Sequence, residues 1–136
     1  MARNYVIVDD SAPKHRRFLN GGTAQNEGDM VVLSSGALAE VADSCTTGVV
    51  GICAEDIAAS SYGTVYISGV FKGTAASGVN FAIGDKVYAA GADTLDAGSQ
   101  NDICVGKVVH TDPSAGGTVY FELWSIIDRD ITAHAG

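Results

Sequence analysis

Residues 27–33 read EGDMVVL, and residues 83–89 read IGDKVYA. In each, Gly-Asp precedes an apolar, β-branched run. Glycine tolerates positive φ and aspartate can accept hydrogen bonds from nearby backbone N–H groups, so the pair predicts a tight turn feeding a strand. Two more signals recur in the same order. VVGICAE around Gly51 returns as CVGKVVH around Gly106, and GTVY at 63–66 returns at 117–120. The offsets are 56, 55 and 54 residues. Near-constant spacing of three ordered signals predicts two related halves, about 25–78 and 79–124, folded around one core. Two copies are too few for an open repeat array, so a closed barrel or sandwich is expected.

Composition agrees. The chain has 136 residues, 46% of them hydrophobic, with 17 glycines and only two prolines. That is one domain's length, and the scatter of glycine among valines and aromatics predicts short strands joined by turns. The segment ALAEVA (37–42) is long enough for one helical turn but not for a helical layer. In GVVGIC and ICVGKVV the glycine interrupting an apolar run marks a bulge or a close approach of neighbouring backbone. In the final strand, Val119, Phe121 and Leu123 fall on one face and Thr118, Tyr120, Glu122 and Trp124 on the other. By analogy Val65, Ile67 and Phe71 point inward. Tyr66 and Tyr120 are then expected to point outward at equivalent places. Outward amphipathic aromatics suit subunit interfaces, which makes Tyr66, Tyr120 and Trp124 candidates for contacts between copies.

The net charge of −8 is uneven. Residues 1–20 carry Arg3, Lys14, Arg16 and Arg17 against Asp9 and Asp10, while the remainder holds four bases and fourteen acids. An acidic body repels phosphate backbones, so nucleic acid is not an expected partner. Cys45, Cys53 and Cys104 lack framework or zinc-ligand spacing, and Cys53 and Cys104 sit in apolar runs, as buried thiols do. No apolar stretch approaches the length of a signal sequence or a membrane span, so synthesis in a cytoplasm and no membrane partner are expected. Residues 1–24 and 125–136 flank the β domain (25–124) as extended arms.

Catalytic patterns are sparse. Ser11 and Lys14 have Ser-x-x-Lys spacing, but in an arm rather than on the helix that motif requires. Asp128, Asp130 and His134 could gather a cation only if the tail were ordered. The acidic loop containing Asp93, Asp96 and Asp102 lacks the closing glutamate of a calcium loop. Neither His15 nor His110 is placed by sequence beside a cysteine. No enzymatic activity, cofactor or metal is expected.

Several segments together resemble a known family. MARNYV at the start, GVVGICAED, ISGVFKGTAASGVNFAIGDKVYAA and the closing ICVGKVVHTD…GTVYFELW resemble the capsid cement, or head decoration, proteins of tailed bacteriophages. The resemblance covers most of residues 45–124. It implies an all-β fold, a small β-barrel or jelly-roll-like sandwich, seated on the outer surface of an icosahedral head. It also implies a non-enzymatic role: binding the major capsid protein and stabilising the shell against internal DNA pressure. On that implication Asn4, Tyr5, Val6 and Ile7 and the basic Lys14, Arg16 and Arg17 are the candidate shell contacts. A homotrimer is expected ahead of a homodimer. A carbohydrate-binding or adhesin module that recognises surface glycans through exposed aromatics is the alternative.

Overall fold

In the computed structural model, residues 5–7, 13–41, 48–76, 78–89, 94–96, 104–111 and 117–127 are described. They form an all-β protein of eleven short strands, with no helix among them. ALAE, within a segment long enough for one helical turn, is instead strand β4 (Ala37–Glu40), paired along its length with β3 (Met30–Ser34). Cross-strand pairing overrides the weak helical preference of four residues.

Two sheets result. One has the order β1 (Val6–Ile7), β7 (Val70–Thr74), β11 (Thr118–Leu123), β10 (Gly106–Thr111), β8 (Lys86–Ala89), β9 (Leu95–Asp96). The other runs β2 (His15–Leu19), β6 (Tyr62–Tyr66), β5 (Gly51–Cys53), β3, β4. Each curls back on itself. A parallel bridge between Asn20 and Leu38 brings the end of β2 to β4, and one between Ala75 and Leu95 brings the end of β7 to β9.

The two curls are built alike, bond for bond. Gly28 N donates to Cys53 O at 2.9 Å, as Gly84 N does to Val108 O at 2.8 Å. Gly21 N donates to Leu38 O at 3.0 Å, as Ala76 N does to Leu95 O at 2.7 Å. The Gly-Asp turns repeat too, with Gly28 at φ 92° and Gly84 at φ 98°. Asp29 Oδ2 accepts the Asn26 N–H at 2.8 Å, and Asp85 Oδ2 accepts the Ala82 N–H at 2.9 Å. Strands β2 to β6 thus correspond in order to β7 to β11. His15–Leu19, expected within an arm, is the first strand of the first unit.

Burial explains the sequence texture. Val31, Leu38, Val50, Cys53, Ile57 and Val65 fill the first unit, with Phe18 and Leu33 against them. Their neighbours Met30, Val49 and Ile52 point the other way, into a larger cluster with Phe71, Val87, Val105, Val108, Val119, Phe121 and Leu123. Strands β3 and β5 are therefore covered on both faces, which is why they read as unbroken apolar runs. Strand β11 alternates because only one face is covered: Val119, Phe121 and Leu123 are buried, as expected from sequence. Each fully buried valine, isoleucine or phenylalanine contributes about 1.5–3 kcal/mol relative to exposure. Among the described residues the core therefore falls into two clusters, where one was expected.

Cys53 and Cys104 are both buried, and the Cys104 thiol donates to Gly106 O at 2.9 Å. Burial, reinforced by Asp29, Asp56 and Glu55, pushes the Cys53 thiol from 9.0 up to about 12. The neutral thiol is the form that the fold accommodates, so its contribution is complete below pH 9 and is lost as pH rises from 9 toward 12. Stability should fall across that alkaline window, and Cys53→Ser should flatten that fall in a series of thermal melts. Thiol labelling of Cys53 at pH 8 should proceed only at the rate of unfolding.

Candidate interaction surfaces

Lys14 directly precedes strand β2, which opens with His15, Arg16 and Arg17, and all four are exposed. It pairs with β6 on one side, His15 opposite Tyr66 through Leu19 opposite Tyr62. The His15 and Tyr66 rings lie 5.2 Å apart. Lys14 is anchored through its backbone N–H, which donates to Ser68 Oγ at 2.9 Å. Arg17 reaches along the strand toward Tyr62 O at 3.4 Å. Nearby, Glu55 accepts the Thr64 N–H at 2.8 Å. That bond, the Thr64 hydroxyl and, less strongly, Arg17 hold its carboxyl below the usual value. A wide, shallow groove of about 440 Å³ runs beside His15, Arg16, Arg17 and Thr64. At the far end Leu19 and Tyr62 face each other as an exposed apolar pair, Tyr62 at 63% exposure.

A second surface is the outer face of the β7–β11–β10–β8 sheet. One row across it runs Lys72, Tyr120, His110, with the Tyr120 and His110 rings 5.2 Å apart. The next runs Val70, Glu122, Lys107, Lys86. Glu122 opposite Lys107 is a favourable cross-strand pair, whereas Lys107 opposite Lys86 places like charges side by side. The Trp124 indole N–H donates to Glu122 Oε1 at 2.9 Å, laying the ring along this face. A break in register between Val108 and His110 leaves Val109 exposed.

The expected contact residues divide accordingly. Arg16 and Arg17 lie on the exposed strand β2, with Lys14 immediately before it. Tyr120 and Trp124 share the outer face of the other sheet, each half-buried. Tyr66 does not join them. It is half-buried against the larger core, its ring 5.6 Å from that of Phe71 on β7. Phe71, expected to continue the strand of Val65, belongs to the other sheet. Tyr5 is 1% exposed, so its ring is core, while Val6 and Ile7 are half-buried in β1 against β7. Asn4 lies outside the described residues. The lysine face was missed by sequence reasoning. Its signal is Lys72, Lys86 and Lys107, each next to a buried residue in FKGT, DKVY and GKVV.

Among the described residues no three His, Cys, Asp or Glu side chains gather as a metal site would require. A comparison with curated proteins gives no match. The family model described as phage cement protein matches residues 18–123. That match reaches from the end of β2 across both units to the last residue of β11, and the chain belongs to the phage cement protein family.

Proposed function

We propose that the chain is a virion structural protein that binds the outside of an icosahedral phage head and cements its shell. It would bridge neighbouring major capsid proteins and resist the pressure of packaged DNA. The observation that carries this reading is the family match over residues 18–123. Cementing needs a rigid body with surfaces aimed outward, and two sheets packed on a shared core supply one. In this reading Lys14, Arg16 and Arg17 meet acidic shell residues, while Tyr120 and Trp124 join copies of the chain, as a homotrimer ahead of a homodimer. Linked copies would bind with avidity that no single contact provides. The acidic remainder keeps a crowded, solvent-facing protein soluble. The protein would be made in the host cytoplasm and end on the head's outer surface.

The test is direct. Purified protein mixed with expanded, undecorated heads should bind saturably and raise the temperature at which they disrupt. The double variant R16E/R17E should fold normally and bind at least about tenfold more weakly, roughly 1.4 kcal/mol. Wild-type binding should also weaken as salt rises, because exposed charges are screened. Absence of saturable binding, with recognition on a glycan array, would replace this reading with the carbohydrate-binding one.

A further inference from the structure

The correspondence between the two units exposes a difference at one edge. Arg17 stands opposite Thr64 in the first unit as Lys72 stands opposite Tyr120 in the second. By the same register Arg16 corresponds to Phe71. On β7 the outer edge is covered: β1 pairs there, Val6 opposite Lys72 and Ile7 opposite Phe71. On β2, among the described residues, no strand occupies the matching edge at His15–Arg17.

Main-chain geometry makes that edge specific. Ile67 N donates to Lys14 O at 2.9 Å, and Asn20 N donates to Ser61 O at 2.8 Å. Antiparallel pairing alternates, so Lys14, Arg16, Phe18 and Asn20 turn their N–H and C=O groups toward β6. His15 and Arg17 turn theirs outward. On β7 the same alternation is fixed by Leu123 N to Gly69 O at 2.9 Å and Ala75 N to Gly117 O at 2.7 Å. There Lys72, the counterpart of Arg17, faces β1.

We infer that the His15–Arg17 edge of β2 accepts an extended acidic segment of the shell subunit, added antiparallel in the register that β1 takes on β7. Main-chain bonds to His15 and Arg17 provide the affinity. Side chains provide the selection. Where β1 sets Val6 and Ile7 against Lys72 and Phe71, a visiting strand meets Arg17 and Arg16, so carboxylates belong at those two positions. This deepens the cement reading and rests on it for the identity of the partner. The competing role for arginines on an exposed edge is to keep other strands away, and it predicts that nothing pairs there.

The test exploits the alternation. Arg17→Pro removes an N–H that points at the open edge and leaves every main-chain bond to β6 in place; it also loses the side-chain bond to Tyr62 O, which Arg17→Ala loses equally, and proline is tolerated on edge strands. Arg17→Ala removes only the side chain. Head binding by Arg17→Pro should be about tenfold weaker than by Arg17→Ala, because a partner carbonyl loses its donor. In the wild-type chain, hydrogen exchange in the 14–19 segment should slow on bound heads. Equal binding by the two variants, or unchanged exchange in 14–19, overturns the inference; if Arg17→Pro does not fold, the exchange result decides alone. Slowing that appears without heads and grows with the chain's own concentration overturns the occupant, which is then a second copy. If wild-type protein does not bind heads, the cement reading fails separately, and blocked valine-rich peptides carrying an adjacent Glu-Glu or Lys-Lys pair become the probes. Protection of 14–19 by the acidic peptide alone upholds strand acceptance, and protection by neither overturns it.

Discussion

Replacing Gly51 or Gly106 with alanine should cost more than about 3 kcal/mol each, and the double variant should not fold. A Cβ at Gly51 would fall onto the carbonyl oxygen of Tyr66, and one at Gly106 onto that of Glu122. These obstacles are backbone atoms inside paired strands, so relief requires prising β5 from β6, or β10 from β11. Overpacking against movable side chains typically costs 1–3 kcal/mol, and a fixed backbone is a harder wall. Native domains hold only about 5–15 kcal/mol in total. Gly22 supplies the control: its added Cβ would meet nothing within 4 Å, so Gly22→Ala should leave stability nearly unchanged. Denaturant melts of the variants check the ranking. A Gly51→Ala protein as stable as Gly22→Ala would mean that β5 does not cross β6 as closely as described.

These two glycines also show how far the sequence carried the fold. Both were legible as interruptions of apolar runs, and both mark the same close crossing. The Gly-Asp turns were legible for a similar reason: positive φ and a carboxylate cap leave few alternatives to those two residues. The GTVY echo was misleading in a specific way. In the ladders Ile52 faces Tyr66 and Lys107 faces Glu122, so the counterpart of Tyr66 is Glu122, not Tyr120. The echo is two residues out of step with the structure. A shift of two keeps each residue on its face of the strand, so Val65 and Val119 both point inward. It does not keep its neighbours, and Tyr66 lies against the core while Tyr120 sits beside His110.

Contacts between the units left almost no local trace. The chain changes sheets in the three residues between β6 and β7, which brings Phe71 against Tyr66, and alternation within GTVYISG cannot report that change. The same holds for β2. KHRR is polar on both faces, lacks the two-residue period that announces a half-buried strand, and so resembles an arm. It is held as a strand by pairing with β6 and by Asn20 at its end. The Asn20 side-chain amide donates to Thr23 O at 2.9 Å and to Ile57 O and Ala58 O, each at 3.2 Å.

Tyr5→Ala should lower stability by about 3–5 kcal/mol, the usual cost of deleting a buried aromatic ring, while folded protein keeps its affinity for heads. The Tyr5 ring meets Phe121 edge to face, centroids 5.7 Å apart, and its hydroxyl donates to Thr94 O at 3.2 Å. A Cβ at Gly73 would come within 2.8 Å of the ring, so that glycine leaves the space Tyr5 fills. The Tyr5 backbone N–H donates to Gly28 O at 3.0 Å, which ties this start of the chain to the Gly-Asp turn of the other unit. Tyr5 thus holds the two units together at their seam. Tyr5→Phe isolates the hydroxyl and should cost only about 1 kcal/mol. A shell contact would behave in the opposite way, with an unchanged melting temperature and lost head binding. That pattern in Tyr5→Ala would return the residue to the shell-contact set, and a lowered melting temperature with intact binding would leave strand β2 as that set's centre.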